Sequence, residues 1–174
     1  MRVVVTAMGI VPSDPRLLLR HAEPDDAPFL RDLFGAVKGV QLAAGGLPPA
    51  MLAPVLAQQY AAQKAGYATR FATAQSLVVL EDGVPVGRLL LDCSAVRWHV
   101  VDIALTPAAQ NRAIGQAVMA AVIAAAGTEG TPVVTLAVAA ANQGARRFYS
   151  RLGFTEASAD LAASHVMMHI ATGA

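Results

Sequence analysis

The stretch from Ser76 to Asp92 constrains this chain most. Two apolar runs, Leu77-Val78-Val79-Leu80 and Val84 to Asp92, are joined by Glu81-Asp82-Gly83. Asp-Gly between two such runs is the signature of a tight hairpin, because both turn residues must tolerate positive φ. An antiparallel pair in mid-chain excludes a purely parallel sheet, so the other elements must be arranged around it. Leu17 to Arg20 reads as a first strand. After the acidic turn Glu23-Pro24-Asp25-Asp26, helical spacing of Phe29, Leu30, Leu33, Phe34 and Val37 marks a first helix. Gly35 to Gly46 is expected to loosen the chain before Pro48-Pro49, and Met51, Leu52, Val55, Leu56 and Tyr60 mark a second helix reaching about Ala65.

Beyond the hairpin, a strand from Val96 to Leu105 ends at Thr106-Pro107, and an Ala-rich helix runs from near Ala113 to about Ala126. Strand Val133 to Val138, a short helix from about Asn142 to Arg151 and a closing strand from His165 to Ile170 complete the order. Strand, two helices, three strands, helix, strand, helix, strand predicts an α/β fold. Its expected form is a mixed, mostly antiparallel central sheet of six to seven strands, with about four helices on both faces. Residues 1–15 read as an irregular leader and 16–174 as a single domain. No repeat or linker divides them.

Composition removes several function classes. With 55% hydrophobic and 14% charged residues, the chain lies far from the disordered regime. Roughly a fifth of it is Ala and only 5% aromatic, so a core of small side chains follows. A net charge of +1 without basic clusters offers no footprint for nucleic acid or an anionic membrane. The longest apolar stretch, Ala117 to Gly127, is shorter than the roughly 20 residues a spanning helix needs. Met1 to Val11 lacks a small-residue cleavage site before Pro12, and the lone Cys93 can form no internal disulfide, so a cytoplasmic location is expected. His21, His165 and His169 lack ligand spacing with carboxylates or Cys93, and no metal site is expected.

Chemistry concentrates in two segments. Leu105 to Gly115 leads from a strand into a helix, whose first turn presents unpaired N–H groups and the positive end of the macrodipole. That combination can bind a pyrophosphate without a catalytic side chain. Arg112 would reinforce it, or is simply a solvated arginine in an ordinary connection. The second segment, Asn142 to Phe154, follows the next strand. It carries Arg146, Arg147 and Arg151, readable as a solvated face or as phosphate contacts.

Together the two segments resemble the Gcn5-related N-acetyltransferase superfamily. Its acetyl-CoA loop reads Gln/Arg-x-x-Gly-x-Gly/Ala, here Gln110-x-x-Ala113-x-Gly115. Its later helix reads Asn-x-x-Ala-x-x-x-Tyr-x-x-x-Gly-Phe, matched in full from Asn142 to Phe154. The resemblance implies an acyl-CoA N-acyltransferase-like fold and acetyl-CoA as cosubstrate, held by Gln110, Asn111, Arg112, Ala113, Ile114, Gly115 and Asn142. Main-chain N–H groups from Ile103 to Leu105 would serve the developing oxyanion. The one departure is Ala113 where Gly is usual. In right-handed conformation Ala would cost clearance alone, so binding is expected to be weakened rather than lost.

The implied reaction is attack of an amine on a thioester. The amine, with a pKa of about 10, must first lose a proton. By gapless alignment His99 takes the base position, unless it merely packs on its strand. Asp102 is the second candidate, on the opposite nominal face unless a bulge changes the parity. Tyr149 stands where the family places the donor to the departing thiolate, and as an isolated residue would read as a buried aromatic. The acceptor is expected over Val40 to Phe71, where Gln58, Gln59, Tyr60, Gln63, Tyr67 and Arg70 offer polar and aromatic groups. A small-molecule amine or a peptide is the expected substrate, with no nucleic-acid or membrane partner. Two alternatives remain: a noncatalytic acyl-CoA-binding regulatory module, and a homodimer pairing through an exposed final strand.

Overall fold

A computed structural model describes residues 9–157 and 164–173. Of the expected leader, residues 1–8 lie outside the described residues. Residues 10–16 form no helix or strand, yet Ile10 is fully buried in the main core. The elements are β1 (Leu17–His21), α1 (Ala27–Ala44), α2 (Pro49–Arg70), β2 (Gln75–Glu81), β3 (Val84–Cys93), β4 (Trp98–Leu105), α3 (Ile114–Thr128), β5 (Val133–Ala139), α4 (Gln143–Arg151), β6 (Thr155–Glu156) and β7 (His165–Ala171). They build one seven-stranded sheet in the order β1-β2-β3-β4-β5-β7-β6. Every pairing is antiparallel except β4 with β5. This is the mixed, mostly antiparallel sheet with four helices that the sequence predicts.

The hairpin forms as expected. Asp82 and Gly83 both take positive φ, 49° and 81°, the geometry that matches the twist of the flanking strands. On one face of the sheet, Leu19, Leu77, Val79, Leu89, Leu91, Val100 and Leu136 pack against Val118, Val122 and the small residues Ala121, Ala125 and Ala126 of α3. Cross-strand neighbours share a face. The opposite face therefore carries Arg88, Leu90, His99, Asp102 and Ala104, and α1 and α2 lie over it.

Several expectations need correction. Gly35 to Gly46 does not loosen the chain, because α1 continues through Gly35 and Gly39 to Ala44. Gly39 is buried where α1 packs on α2, and a Cβ there would meet Leu56 Cδ1 at an ordinary contact distance of 3.7 Å. Likewise α2 runs past Ala65 to Arg70, carrying Tyr67 onto the sheet. The fourth strand begins at Trp98 rather than Val96, since Ser94 N bonds to Arg97 O at 3.0 Å and closes a turn that leaves Val96 exposed. The final strand is not the sheet edge: β7 lies between β5 and the two-residue β6, which the sequence reading missed. Among the described residues no helix is long and apolar enough to cross a membrane.

Candidate active site

Two register events create the site. The parallel pairing of β4 with β5 stops after Trp98↔Val134, His99↔Thr135 and Val100↔Leu136. Beyond it the two strands part from each other while each stays paired with its outer neighbour, so the inner-edge main-chain groups of residues 103–105 face a widening gap. Second, β4 is bulged against β3, with Leu91 opposite Val100 but Leu90 opposite Asp102, leaving Val101 as the extra residue. The bulge reverses the parity downstream and places Asp102 on the same face as His99.

A cavity of about 630 Å³ occupies the mouth of the gap. Ile103 and Leu105 form one wall, Gln110, Asn111, Ala113 and Gly115 the floor, and Tyr149 the far wall. These are seven of the expected site residues brought together. Gln110 Nε2 also donates to Leu105 O at 3.0 Å, tying the loop to the strand end. The helical ladder opens with Ala117 N donating to Ala113 O, so the N–H groups of the preceding turn have no intrahelical acceptor. Asn111 and Ala113 both lie in the left-handed region, at φ 59° and 61°. Asn tolerates that conformation, whereas Ala is strained by about 1–2 kcal/mol. The right-handed conformation that would have spared Ala113 any strain is not adopted.

The other candidates sit elsewhere. Ile114 is buried, 2% exposed, beneath the cavity floor. Arg112 turns away to form a two-pronged ion pair with Glu81, at 2.8 and 2.9 Å. Asn142 caps α4, its Oδ1 accepting from Ala145 N at 3.0 Å. The three arginines of α4 separate: Arg146 pairs with Glu156 at 2.8 and 3.0 Å, Arg147 is exposed, and Arg151 lines the cavity. Gly144, Ala145 and Phe148 line it too, residues the sequence reading passed over. Their spacing from Tyr149 along one helix face was the available signal.

His99 lies outside the cavity. It is 6% exposed, its ring stacked on Phe71 at 5.5 Å and its Nδ1 2.8 Å from Thr135 Oγ1. Burial, then the nearby Arg97, pulls its pKa below the ordinary value of 6.5. The unfolded chain therefore binds a proton more readily, so stability should be complete above pH 6.5 and fall as pH drops below it. His99→Gln is expected to remove that part of the acid-side loss, read as melting temperature against pH. An unchanged acid limb would show that the ring is solvated.

Asp102 lines a small adjoining cavity with Gln63, Lys38 and Arg88. Val37 and Ala104 border both this space and the main cavity. Asp102 is ion-paired with Arg88, the two side chains being 26% and 15% exposed. Burial, and secondarily the Asp102 carboxylate, push the Tyr149 phenol up to about 12, so it holds its proton at neutral pH. The Tyr149 ring packs edge-on against Phe148 and Phe154 at 5.1 and 5.8 Å. A third cavity, of about 460 Å³, adjoins the small one at Arg88 and Leu30, between α2 and the sheet. Tyr60, Tyr67 and Phe71 line it, while Gln58 and Gln59 are exposed and Arg70 lays its guanidinium over the Phe71 ring, 5.7 Å from its centroid.

A mixed sheet whose parallel central pair parts over the start of a helix is the acyl-CoA N-acyltransferase fold. The profile of the Acetyltransferase (GNAT) family matches residues 50–154, and the chain belongs to that family. Among solved structures it resembles the PaiA N-acetyltransferase of Thermoplasma acidophilum in complex with coenzyme A. The TM-score is 0.69 at 17% identity over 89% of this chain and 98% of that one. It also resembles YncA from Salmonella typhimurium with acetyl-CoA (TM-score 0.54, 18% identity, 91% and 95% covered). The ribosomal-protein-S18-alanine N-acetyltransferase of Escherichia coli is similar as well (0.61, 15%, 91% and 95%). No curated protein sequence matches.

Proposed function

We propose that the protein transfers the acetyl group of acetyl-CoA to a primary amine by direct attack in a ternary complex. The observation that carries this reading is the cavity at the parted β4 and β5, which joins the opening turn of α3 to the Tyr149 phenol. The free N–H groups at the start of α3 suit the pyrophosphate, and Arg151 can add a phosphate contact. Acetyl-CoA supplies the activated acyl group. Main-chain N–H groups of residues 103–105 are placed to hydrogen-bond the oxygen that gains charge as the amine adds. Tyr149 donates its proton to the departing sulfur.

The base is Asp102 in this reading, because it lies in the space that adjoins the thioester wall while Phe71 covers His99. The step balances: an N–C bond forms, the C–S bond breaks, and the ammonium's two surplus protons go to the thiol and to solvent. The noncatalytic alternative gives no role to a buried phenol that feels the carboxylate of the adjoining space. A cytoplasmic location is the expectation from the sequence, and a homodimer would have to form through a surface other than the final strand, because β7 lies inside the sheet.

Calorimetric titration of acetyl-CoA is the test, with saturable one-to-one binding expected. Ala113→Gly removes left-handed strain and a methyl from the cavity floor. It should tighten binding several-fold and raise stability by up to about 1 kcal/mol, part of the gain being offset by glycine's freedom in the unfolded chain. No binding to the wild type at millimolar ligand would end the proposal. Weaker binding by the glycine variant would show that the floor does not approach the phosphates.

A further inference from the structure

The third cavity and the small space beside Asp102 adjoin, with Arg88 and Leu30 in the wall of both, and together they make up the chamber considered for the acceptor. Arg88 is the polar centre of that chamber. Its Nη2 is bonded to Asp102, and Tyr67 lies against its guanidinium, 5.9 Å from carbon to ring centroid. The remaining guanidinium N–H groups have no acceptor among the described residues, although the side chain is only 15% exposed. A half-buried guanidinium with spare N–H groups facing a cavity is suited to a carboxylate, which it can bind with two parallel bonds.

Charge points the same way. The chamber is bordered by the cations Lys38, Lys64 and Arg88 and by the carboxylates Glu23 and Asp102. Those groups leave one positive charge in excess, and a simple ammonium entering beside the Asp102 carboxylate that Arg88 already occupies would add to it. An acceptor with both an ammonium and a carboxylate adds none: its ammonium meets Asp102 and its carboxylate meets Arg88. Apart from Gln63 and Ser76, the rest of the lining is apolar or aromatic, with Leu30, Leu90, Tyr60, Tyr67 and Phe71 prominent. We infer that the acetyl acceptor is a zwitterionic amine with an apolar or aromatic side chain, a hydrophobic amino acid, with Arg88 as the residue that selects its carboxylate.

This inference rests on the acetyltransferase reading above, and the experiment separates the two. The whole protein with saturating acetyl-CoA is offered L-phenylalanine, L-leucine, glycine, L-phenylalaninamide and 2-phenylethylamine, and released thiol is followed. L-Phenylalanine should exceed its amide and 2-phenylethylamine by about 10- to 100-fold in kcat/KM, the range for one hydrogen-bonded charge pair, and should exceed glycine as well. Arg88→Gln should collapse the ratio of acid to amide, and Arg88→Lys should restore it only in part because the fork is lost. Preference for the amide or 2-phenylethylamine by the wild type overturns the zwitterion inference and leaves the transferase standing. So does an equal loss on all acceptors in Arg88→Gln. Turnover of none of the five with acetyl-CoA bound also overturns it, whereas absence of acetyl-CoA binding removes the transferase reading itself. The wild-type panel decides even if Arg88→Gln fails to fold.

Discussion

Replacing Tyr149 by Phe is expected to lower turnover by about 10²- to 10³-fold, some 3–4 kcal/mol of transition-state stabilisation, with acetyl-CoA affinity changed by less than about threefold. The ring is retained, so the edge-on contacts with Phe148 and Phe154 survive and the fold should melt as the wild type does. Only the hydroxyl is removed. Among the described residues that hydroxyl has no hydrogen-bond partner, so its loss leaves no buried group stranded, and the effect must come from the reaction. The phenol's pKa, pushed up to about 12 first by burial and then by Asp102, carries a second expectation. Because the protonated form is favoured, Tyr149 stays a donor through the whole neutral and mildly alkaline range, and any alkaline fall in rate below about pH 10 belongs to another group. Steady-state kinetics with a parallel cofactor titration would check both. Lost affinity with preserved turnover would reassign Tyr149 to the packing of α4.

Local grammar made much of this fold legible. Asp82-Gly83 needs two positive φ angles and nothing from the rest of the molecule, and the Asn142 cap reads just as directly from its helix start. What the sequence could not reveal depends on partners far away in the chain. Whether Asp102 faces the acceptor side turns on one extra residue, Val101, in the register between β3 and β4. Arg112 looked like a phosphate ligand because the loop around it fits that role. Its actual partner, Glu81, sits at the hairpin tip 31 positions earlier. His99 ranked above Asp102 by alignment alone, since nothing near it announces that Phe71 will stack over the ring. Gly35 and Gly39 looked like breakers until α2 supplied a surface for α1 to pack against.

The second large effect is expected at a residue with no chemistry of its own. Gly87 lies on β3 opposite Leu105, just past the bulge at Val86, and is buried. A Cβ there would stand 2.5 Å from Leu105 Cδ2 and 2.6 Å from Ala104 O. Leu105 can rotate away, but Ala104 O is main chain and moves only with the strand. Gly87→Ala should therefore cost about 1–3 kcal/mol, lowering the melting temperature by about 3–10 °C in a chain of this length. The larger consequence concerns activity. The displaced segment, Ile103 to Leu105, is the wall against which the thioester is proposed to lie, and a shift of about 1 Å in a reacting geometry can cost about 100-fold in rate. Gly66→Ala is the natural comparison: it lies within α2, where an added Cβ would meet only open space, so it should be neutral or stabilise by up to about 1 kcal/mol. If Gly87→Ala melts and turns over like the wild type, the end of β4 is pliant, and the parted strands cannot be the rigid frame that holds the acyl group in place.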